Sequence, residues 1–192
     1  MHAAKDELRQ KMRDLRFALA ANEAERRSAL AAPHVLALPE IVAARRVALF
    51  APVRNEIDTR PLHAALVARA VAVCYPRVDG AALSFATVDD LAALVPGRLG
   101  IPEPAPGARP VATSDIDVFV IPGLAFDLLG ERLGWGRGHY DRTLAAARAA
   151  LRVGYAYDFQ IVALVPVGAD DERMDVVVTS AGARRTATRR SR

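Results

Sequence analysis

The segment Gly130–Arg142 holds the residue types and spacing most suited to chemistry in this chain. Its glycines alternate with larger residues in the order Gly-Trp-Gly-Arg-Gly-His, after an apolar, strand-like run at Val118–Ile121. A strand, a glycine turn and a helix N-terminus together form a backbone cup whose free N–H groups can bind a phosphate. Arg132 and Arg137 near Asp141 suit a phosphate that carries a bound metal ion. The pattern favours a nucleotide-phosphate site, and the alternative is an ordinary set of turns.

Two common nucleotide-binding motifs do not occur in the sequence. A P-loop requires Gly-Lys-Ser/Thr, whereas the only lysines are Lys5 and Lys11, and neither follows a glycine. In the dinucleotide fingerprint Gly134 and Gly136 fit, but His139 stands at the third glycine position, which disfavours a Rossmann redox enzyme. Because all other strongly basic residues are arginine, each retained lysine is a mild indication of function.

Two groups of carboxylates are candidates for a metal site. Asp141 lies in the glycine segment, and Asp170 and Asp171 follow the late apolar run Val165–Val167. Magnesium takes few carboxylates and several waters, and it borrows phosphate oxygens from a substrate. Asp141 with one of the later pair could supply that sparse set. The alternative for the pair is a solvated acidic turn.

The roles of three further residues stay open on spacing alone. Glu56 lies in a loop after a predicted strand, and its spacing favours an exposed surface residue. His139 is interpreted either as a solvent-facing ring or as an acid–base group. Trp135, between two glycines, is interpreted as a lid or as a stacking partner for an aromatic ligand.

The N-terminal residues predict the first element that must position these groups, a helix over residues 5 to about 20. Apolar residues recur there at helical spacing: Leu8, Met12, Leu15 and Leu19. At about 100° per residue, Lys5, Arg9 and Arg16 line one edge of that stripe. Either they face a cleft, or they are the charged flank of an ordinary amphipathic helix.

Apolar runs that alternate with helical patterns predict the rest of the fold. The predicted strands are Val47–Phe50, Val71–Tyr75, Leu83–Ala86, Val118–Ile121, Val153–Tyr157 and Val176–Thr179. The other predicted helices cover residues 23–38 with an interruption near Pro33, 59–70 with a cap from Asp58 or Thr59, and the stretch from the glycine segment to about 151. Pro96–Pro110 is expected to be a long loop.

This order of elements predicts an open, mostly parallel sheet with helices on both faces. In such sheets ligands bind beyond the carboxyl ends of the strands. The loops Ala51–Thr59 and Pro122–Asp141 both leave carboxyl ends of predicted strands. We therefore expect these two loops to meet at one site.

Composition limits the class of protein. The chain has 192 residues and is 52% hydrophobic, which is enough for one domain with a sizeable core. The single cysteine, Cys74, excludes an internal disulfide framework. No apolar run approaches the length of a membrane span, and the polar, charged first residues differ from a secretory signal. A cytoplasmic location without a membrane partner is expected.

The net charge of +4 is concentrated in the segment Ala181–Arg192, which contains five arginines and no acidic residue. The remainder is therefore close to neutral, and nucleic acid is not the expected partner. We expect one domain over residues 1–180 and a solvated, disordered tail over residues 181–192. Weak contact between this tail and RNA is the alternative.

Several segments match the pattern of one known family, and the matches run from Lys5 to about Thr179. They are Lys5–Arg9 (Lys-x-x-Leu-Arg), Phe50–Pro52 with Asn55–Thr59 (a strand, then Glu-hydrophobic-Asp/Glu-Thr), Gly100–Pro104 (Gly-Ile-x-Glu-Pro), and the closing residues Gln160, Val165–Pro166, Asp171 and Asp175. The most specific match is Pro122–Asp141, with Pro-Gly-x-x-Phe-Asp-x-x-Gly-x-Arg-x-Gly-x-Gly-x-Gly-x-Tyr-Asp. In these segments the chain resembles the 5-formyltetrahydrofolate cyclo-ligase family, the methenyltetrahydrofolate synthetases.

The resemblance implies a fold and a reaction. The fold is a three-layer α/β/α sheet similar to that of ribose-5-phosphate isomerase and the CoA transferases, which by itself says nothing about function. The reaction is the ATP- and Mg²⁺-dependent cyclisation of 5-formyltetrahydrofolate to 5,10-methenyltetrahydrofolate, with ADP and phosphate released. It passes through an iminium phosphate that N10 attacks, so the protein's task is positioning and charge stabilisation.

The resemblance also implies roles for individual residues. The implied catalytic residues are Lys5, Arg132 and Tyr140. The implied ATP-binding residues are Lys5, Asp6, Glu7, Leu8, Arg9, Arg132, Leu133, Gly134, Trp135, Gly136, Arg137, Gly138, His139 and Tyr140. The implied folate-binding residues are Ala51, Glu56, Trp135, Gly136, Arg137, Gly138 and His139. Asp141 and Asp171 are implied to hold Mg²⁺.

Three residues depart from the family pattern. His139 stands where tyrosine or another aromatic residue is common, Trp135 where tyrosine or arginine is frequent, and Arg137 where lysine or glycine is common. These changes could shift affinity or polyglutamate preference without implying loss of activity. We expect a monomer acting on ATP and a reduced folate. The alternatives are a non-catalytic folate- or nucleotide-binding member and an RNA-binding protein that uses the arginine-rich tail.

Overall fold

The computed structural model describes residues 2–168 and 170–186, apart from the side chains of His2 and Leu99. Its helices are α1 (His2–Ala18), α2 (Ala21–Leu36), α3 (Pro39–Ala43), α4 (Arg60–Ala68) and α5 (His139–Ala146). Its strands are β1 (Arg46–Ala48), β2 (Ala72–Asp79), β3 (Ala82–Thr87), β4 (Leu94–Pro96), β5 (Pro102–Pro104), β6 (Pro110–Val111), β7 (Val118–Ile121), β8 (Ala125–Phe126), β9 (Arg132–Leu133), β10 (Leu151–Tyr155), β11 (Val176–Thr179) and β12 (Gly182–Arg185).

Eight strands form one sheet in the order β12-β11-β10-β7-β1-β2-β3-β6. The five strands from β11 to β2 are parallel, and β12, β3 and β6 join antiparallel at the edges. Two short hairpins, β4 with β5 and β8 with β9, lie outside this sheet. The prediction of a mostly parallel α/β sheet is therefore confirmed.

Alternate residues of the central strands enter two separate cores. Val118 and Val120 of β7 pack with α2 and α4 on one face, whereas Phe119 and Ile121 pack with α5 on the other. Because successive side chains of a strand point to opposite faces, a short strand that is apolar throughout is buried on both sides. These two cores and the helices above them make the three layers that the sequence predicts.

A third, smaller cluster seats α1 against the glycine segment. Met12 is packed with Leu124, Ala125, Leu133 and Val165, all of them buried. Ala125 and Leu133 belong to the hairpin of β8 and β9, and Leu124 directly precedes it. The N-terminal helix is therefore fixed beside the loop that follows β7. This packing determines which face of α1 looks into the site.

Several boundaries differ from the sequence predictions. Helix α2 continues through Pro33 to Leu36, whereas Pro33 predicts an interruption. Ala32 before the proline and Val35 after it are both packed in the core. Helix α5 ends at Ala146, five residues before the expected end. The expected loop Pro96–Pro110 contains β5 and borders β4, whose prolines suit short edge strands that do not need every N–H.

The beginning of the expected tail is structured. Gly182–Arg185 forms the edge strand β12, paired antiparallel with β11 from Val176↔Arg185 to Thr179↔Gly182. The prediction of a disordered tail from residue 181 is wrong for these residues, because the apolar strand β11 offers backbone partners to the returning chain. Residues 187–192 lie outside the described part of the structure. In the residues that are described, no helix is both long and apolar enough to cross a membrane.

Candidate active site

Helix α1 presents three cations to three different segments of the chain. Lys5 Nζ lies 2.5 Å from Asp171 Oδ2, Arg9 Nε donates to the carbonyl oxygen of Gly134 at 3.1 Å, and Arg16 Nη1 donates to Glu56 Oε1 at 3.3 Å. Leu8 and Met12 meanwhile pack into the small cluster beneath the helix. The predicted cationic edge of α1 therefore faces a site rather than solvent.

The buried line of α1 differs in one position from the predicted apolar stripe. Leu15 is 42% exposed, whereas Arg16 is 1% exposed. A buried guanidinium is tolerated where an acid neutralises it and accepts its hydrogen bond, and Glu56 does both. Helical spacing predicts Arg16 at the edge of the helix but indicates no role for it at the site.

Glu56 is enclosed by donors. Its side chain is 6% exposed, and it accepts hydrogen bonds from Arg16, from Trp135 Nε1 at 3.3 Å and from the backbone N–H of Val53 at 3.1 Å. Burial raises the pKa of Glu56 above its ordinary value, and the Arg16 charge and the hydrogen bonds oppose that rise. The surface position favoured by spacing alone is therefore wrong, because the partner that permits burial lies 40 residues away in sequence.

Trp135 connects the glycine loop to the loop that contains Glu56. Its indole donates to Glu56, and the guanidinium carbons of Arg16 and Arg54 lie 4.9 and 5.0 Å from its ring centroid. Cations over an indole face are attracted by the ring quadrupole. The loops Ala51–Thr59 and Pro122–Asp141 thus meet, as the order of elements predicted.

Arg132 is held between Asp141 and the ring of Tyr140. Its Nη2 donates to Asp141 Oδ1 at 2.7 Å, and its guanidinium carbon lies 5.6 Å from the Tyr140 centroid. Burial raises the pKa of Tyr140, against the opposing charge of Arg132. A Cβ at Gly134 would come within 2.7 Å of Arg132 Nη1, so glycine at this position leaves room for the guanidinium. Arg132 Nε is buried without an acceptor among the described residues.

Asp171 lies beside the Arg132–Asp141 pair. It accepts from Lys5 and from the backbone N–H of Gly168 at 2.7 Å, and the next residue, Glu172, directs its N–H to Asp141 Oδ1 at 3.4 Å. Burial alone would raise the pKa of Asp171, but the hydrogen bonds from Lys5 and Gly168 outweigh it and hold that pKa below 3.8. Asp170, in contrast, is exposed, which fits the acidic-turn alternative for that residue.

The glycine loop ends at the N-terminus of α5. Gly136 and Gly138 have φ angles of 91° and 65°, a left-handed region that favours glycine, and Gly138 immediately precedes the helix. His139 in the first turn is half-buried, and burial, Arg142 and Arg137 together lower its pKa. This half-buried position lies between the solvent-facing ring and the enclosed acid–base group that the spacing left open.

The remaining predicted ATP-binding residues occupy different environments. Asp6 pairs with Arg9 at 2.6 Å on the outer side of α1, and Glu7 is exposed. Leu8 and Leu133 contribute to the small apolar cluster, so their side chains face protein. Arg137 is exposed on the loop, and its carbonyl oxygen accepts from Arg142 at 2.6 Å.

A cleft of about 510 Å³ opens beside Glu56. Its polar residues are Arg54, Asn55, Glu56, Asp58, Arg60 and Tyr75, and its apolar wall comes from Ala51–Val53, Leu91, Leu94 and Pro102. Ala51 and Glu56 were predicted to bind substrate, whereas Arg54 and the β4–β5 wall were missed. Pro102 lies in the proline-rich segment that predicts a loop, and Leu91 and Leu94 lie just before it, so tertiary packing brings them to the cleft. The cleft and the cationic glycine loop are adjoining compartments joined at Trp135.

Comparisons with known proteins point to one family. The model of the 5-formyltetrahydrofolate cyclo-ligase family matches residues 1–180. The 5-formyltetrahydrofolate cyclo-ligase of Escherichia coli (strain K12) is 36% identical over 174 residues, covering 88% of this chain and 96% of the relative. The 5-formyltetrahydrofolate cyclo-ligase of Mus musculus is 26% identical over 191 residues, covering 93% and 94% of the two chains.

Solved structures give the same result. The NMR structure of Aquifex aeolicus 5,10-methenyltetrahydrofolate synthetase superposes with a TM-score of 0.86 at 37% identity, covering 98% of this chain and 95% of the other. The Mycoplasma pneumoniae 5,10-methenyltetrahydrofolate synthetase has a TM-score of 0.76 at 23% identity over 92% and 98% of the two chains, a likeness of fold.

Proposed function

This chain belongs to the 5-formyltetrahydrofolate cyclo-ligase family, and from that premise we propose that it converts 5-formyltetrahydrofolate and ATP to 5,10-methenyltetrahydrofolate, ADP and phosphate. The junction at Trp135 carries the proposal, since a cationic glycine loop there adjoins a cleft containing the buried carboxylate Glu56. A reaction between a nucleotide and a second organic substrate requires two such adjoining compartments.

The chemistry explains why charge stabilisation is the main requirement. A formyl amide oxygen is a poor leaving group until the γ-phosphoryl group of ATP is transferred to it and ADP departs. N10 then attacks the formyl carbon of the iminium phosphate, the carbon–oxygen bond breaks, phosphate leaves and N10 loses its proton. No protein nucleophile is needed, so fixed cations and donors around the phosphoryl group carry the catalysis.

In this proposal Lys5, Arg9 and Arg132 bind ATP phosphates, with Lys5, Arg132 and Tyr140 as catalytic residues. The support is that Lys5 and Arg132 are nearly buried, side by side with carboxylates, and that Arg9 contacts the glycine loop directly. The backbone from Gly134 to His139 supplies N–H groups, and the side chains of Asp6 and Glu7 lie at the outer edge of the same helix. Leu8 and Leu133 contribute through the packing that positions these groups.

The reduced folate would occupy the cleft against Ala51 and Glu56. A buried carboxylate that already accepts from two side chains and one N–H has a fixed orientation, which is what recognition of ring N–H groups requires. Trp135, Gly136, Arg137, Gly138 and His139 would border both ligands from the loop. Burial and the charges of Arg142 and Arg137 oppose a positive charge on His139, which suits contact with an organic ring.

Asp141 and Asp171 would hold Mg²⁺. Within the described residues no group of three His, Cys, Asp or Glu side chains forms a ready metal cage. Two carboxylates near a phosphate site are nevertheless the donor set that Mg²⁺ uses when ATP supplies further oxygens. The bound ion would neutralise phosphate charge, and the carboxylates would first exchange their present partners, Arg132 and Lys5.

The broader biology is also part of the proposal. We expect a cytoplasmic monomer that takes ATP and a reduced folate and needs neither membrane nor nucleic acid. Light scattering of the purified protein, which measures mass in solution, tests the monomer.

The complete set Lys5, Glu56, Arg132, Tyr140 and Asp141 argues against a binding-only family member. RNA binding through the arginines would survive loss of ATP use, and truncation after Ala181 would abolish it.

The deciding experiment follows absorbance in the methenyl-folate band with purified protein, 5-formyltetrahydrofolate and Mg-ATP, and with ATP omitted in the control. The proposal requires a rise that depends on ATP, with one ADP formed per product. No rise and no ADP from folded protein would leave a binding-only protein as the better description.

A further inference from the structure

In the part of the chain that the structure describes, one cation of the cleft has no carboxylate partner. Four charged side chains line it: Arg54, Glu56, Asp58 and Arg60. Glu56 pairs with Arg16, and Asp58 pairs with Arg60 at 2.8 Å. Among the described residues Arg54 forms no ion pair, and its recorded partner is the Trp135 ring. An anion that enters or forms in this cleft would therefore find its counter-charge at Arg54.

The backbone holds Arg54 in an unfavourable conformation. Arg54 and Asn55 have φ angles of 52° and 60°, the left-handed region that is costly for residues other than glycine. The Asn55 amide compensates by donating to the carbonyl oxygens of Arg16 at 2.8 Å and Leu19 at 2.9 Å. The turn is thus tied to the end of α1, the helix that also carries Lys5 and Arg9.

Arg54 also stands at the boundary between the two compartments. Its side chain lines the cleft, yet its guanidinium carbon is 5.0 Å from the centroid of Trp135, a residue of the glycine loop. Arg16 reaches the same indole but is buried and already paired with Glu56. Arg54 is exposed, so of these two guanidiniums it is the one available to a ligand.

We propose that Arg54 is a further catalytic residue, which binds the phosphoryl group as it passes from ATP to the formyl oxygen. This inference rests on the proposed function. The bond from the γ-phosphorus to the ADP oxygen breaks while the bond to the formyl oxygen forms, and the charged phosphoryl group moves from the glycine loop into the cleft. Arg54 donates hydrogen bonds to its oxygens and loses no proton, and it remains in contact until N10 displaces phosphate.

The test compares Arg54→Ala and Arg54→Lys with Arg26→Ala, a matched loss of charge at an exposed residue of α2 that Glu23 already neutralises. Removing one preorganised donor to a developing charge lowers kcat by about 100-fold or more, so we expect that loss for Arg54→Ala, with both KM values changed less than threefold. Arg54→Lys should recover part of kcat. Arg26→Ala should keep kcat within threefold of the wild type.

Recovery of kcat on adding guanidinium ion distinguishes a catalytic role of Arg54 from a merely structural one. Added at millimolar concentration, it should raise kcat of Arg54→Ala at least tenfold and leave kcat of Arg26→Ala unchanged. An unchanged kcat in Arg54→Ala, or a loss that guanidinium fails to restore, overturns the inference. A raised folate KM in Arg54→Ala that disappears with 5-formyltetrahydropteroate, which lacks the glutamate, also overturns it, since Arg54 would then bind the glutamate tail. An inactive wild type would instead refute the proposed function.

Discussion

The indole Nε1 of Trp135 lies 3.3 Å from Oε1 of Glu56, so the glycine loop and the cleft are joined by a single side chain. Trp135 is also the only tryptophan in the chain. Its fluorescence should therefore change when ATP alone or 5-formyltetrahydrofolate alone is titrated, with excitation at the indole red edge. Emission that stays constant with both ligands, while calorimetry detects binding, would contradict a boundary position for Trp135.

Glu56→Gln should weaken the folate more than ATP. Glutamine keeps the shape and one acceptor oxygen but removes the charge, so we expect KM for the folate to rise about tenfold and KM for ATP to change less than twofold. Steady-state kinetics with each substrate varied measures the split. An effect confined to ATP would contradict the placement of Glu56 in the folate cleft.

The same substitution should reduce stability, because Arg16 would remain buried without a counter-charge. Breaking a buried pair by removing one partner costs about 3 kcal/mol of the free energy of unfolding. Urea denaturation of Glu56→Gln measures this loss. Replacing both residues, as Arg16→Met with Glu56→Gln, should be less destabilising than the sum of the single changes, and strict additivity would argue against the pair.

The two lysines provide a matched comparison on one helix. Lys5 is nearly buried beside Asp171, whereas Lys11 is exposed on α1. Lys5→Gln should lower kcat by about 100-fold, since a phosphate-binding charge is lost, and Lys11→Gln should match the wild type. Equal activity in both variants would remove Lys5 from the catalytic set.

Asp141→Asn should remove most of the Mg²⁺-dependent activity while the protein stays folded. We expect this variant to need a much higher Mg²⁺ concentration for half-maximal rate, because one of the two proposed carboxylate ligands has become neutral. Asp14→Asn, an exposed change on α1, is the control for net charge. Near-normal turnover at limiting Mg²⁺ in Asp141→Asn would refute the metal assignment.

The strand β12 predicts a measurable pH effect at Glu40. A hydrogen bond from Arg185 holds the pKa of Glu40 below its ordinary 4.5. A carboxyl group with a lowered folded pKa stabilises the fold above its unfolded pKa, and that contribution is lost as pH falls through the folded value. NMR titration should show the pKa of Glu40 rising toward 4.5 in Arg185→Ser but not in Arg184→Ser. No rise in either variant would mean that β12 does not hold Arg185 against α3.

Periodicity was enough to predict the central sheet and the cationic edge of α1. The runs Val118–Ile121 and Val176–Thr179 are apolar throughout, which is the signature of strands buried on both faces, and Lys5, Arg9 and Arg16 follow from 3.6 residues per turn. The family pattern then implied a folate-binding role for Glu56 and selected Asp171 from the carboxylate pair Asp170 and Asp171. The comparisons confirm the family, whereas the individual ligand contacts stay predictions.

Features that depend on distant partners were outside the reach of the sequence. Residue spacing alone predicts an exposed Glu56, because nothing local indicates that Arg16 lies against it. For the same reason, spacing predicts a buried Leu15 and places Arg16 at the edge of the helix. Pro102, part of the apolar wall of the cleft, lies in the segment Pro96–Pro110, whose prolines predict only a loop. The left-handed turn at Arg54 has no glycine to indicate it.

Lys5 and Asp171 are separated by 166 positions in sequence yet share one hydrogen bond. A ribosome must therefore have made almost the whole domain before this pair can form. Until then Lys5 on α1 has no Asp171 to pair with, however early that helix folds. Closing so long a loop carries a large entropic cost before any contact compensates it. The nucleotide binding that we propose for this site is thus reserved for a nearly finished chain, and a truncated product that ends before Asp171 lacks the pair altogether.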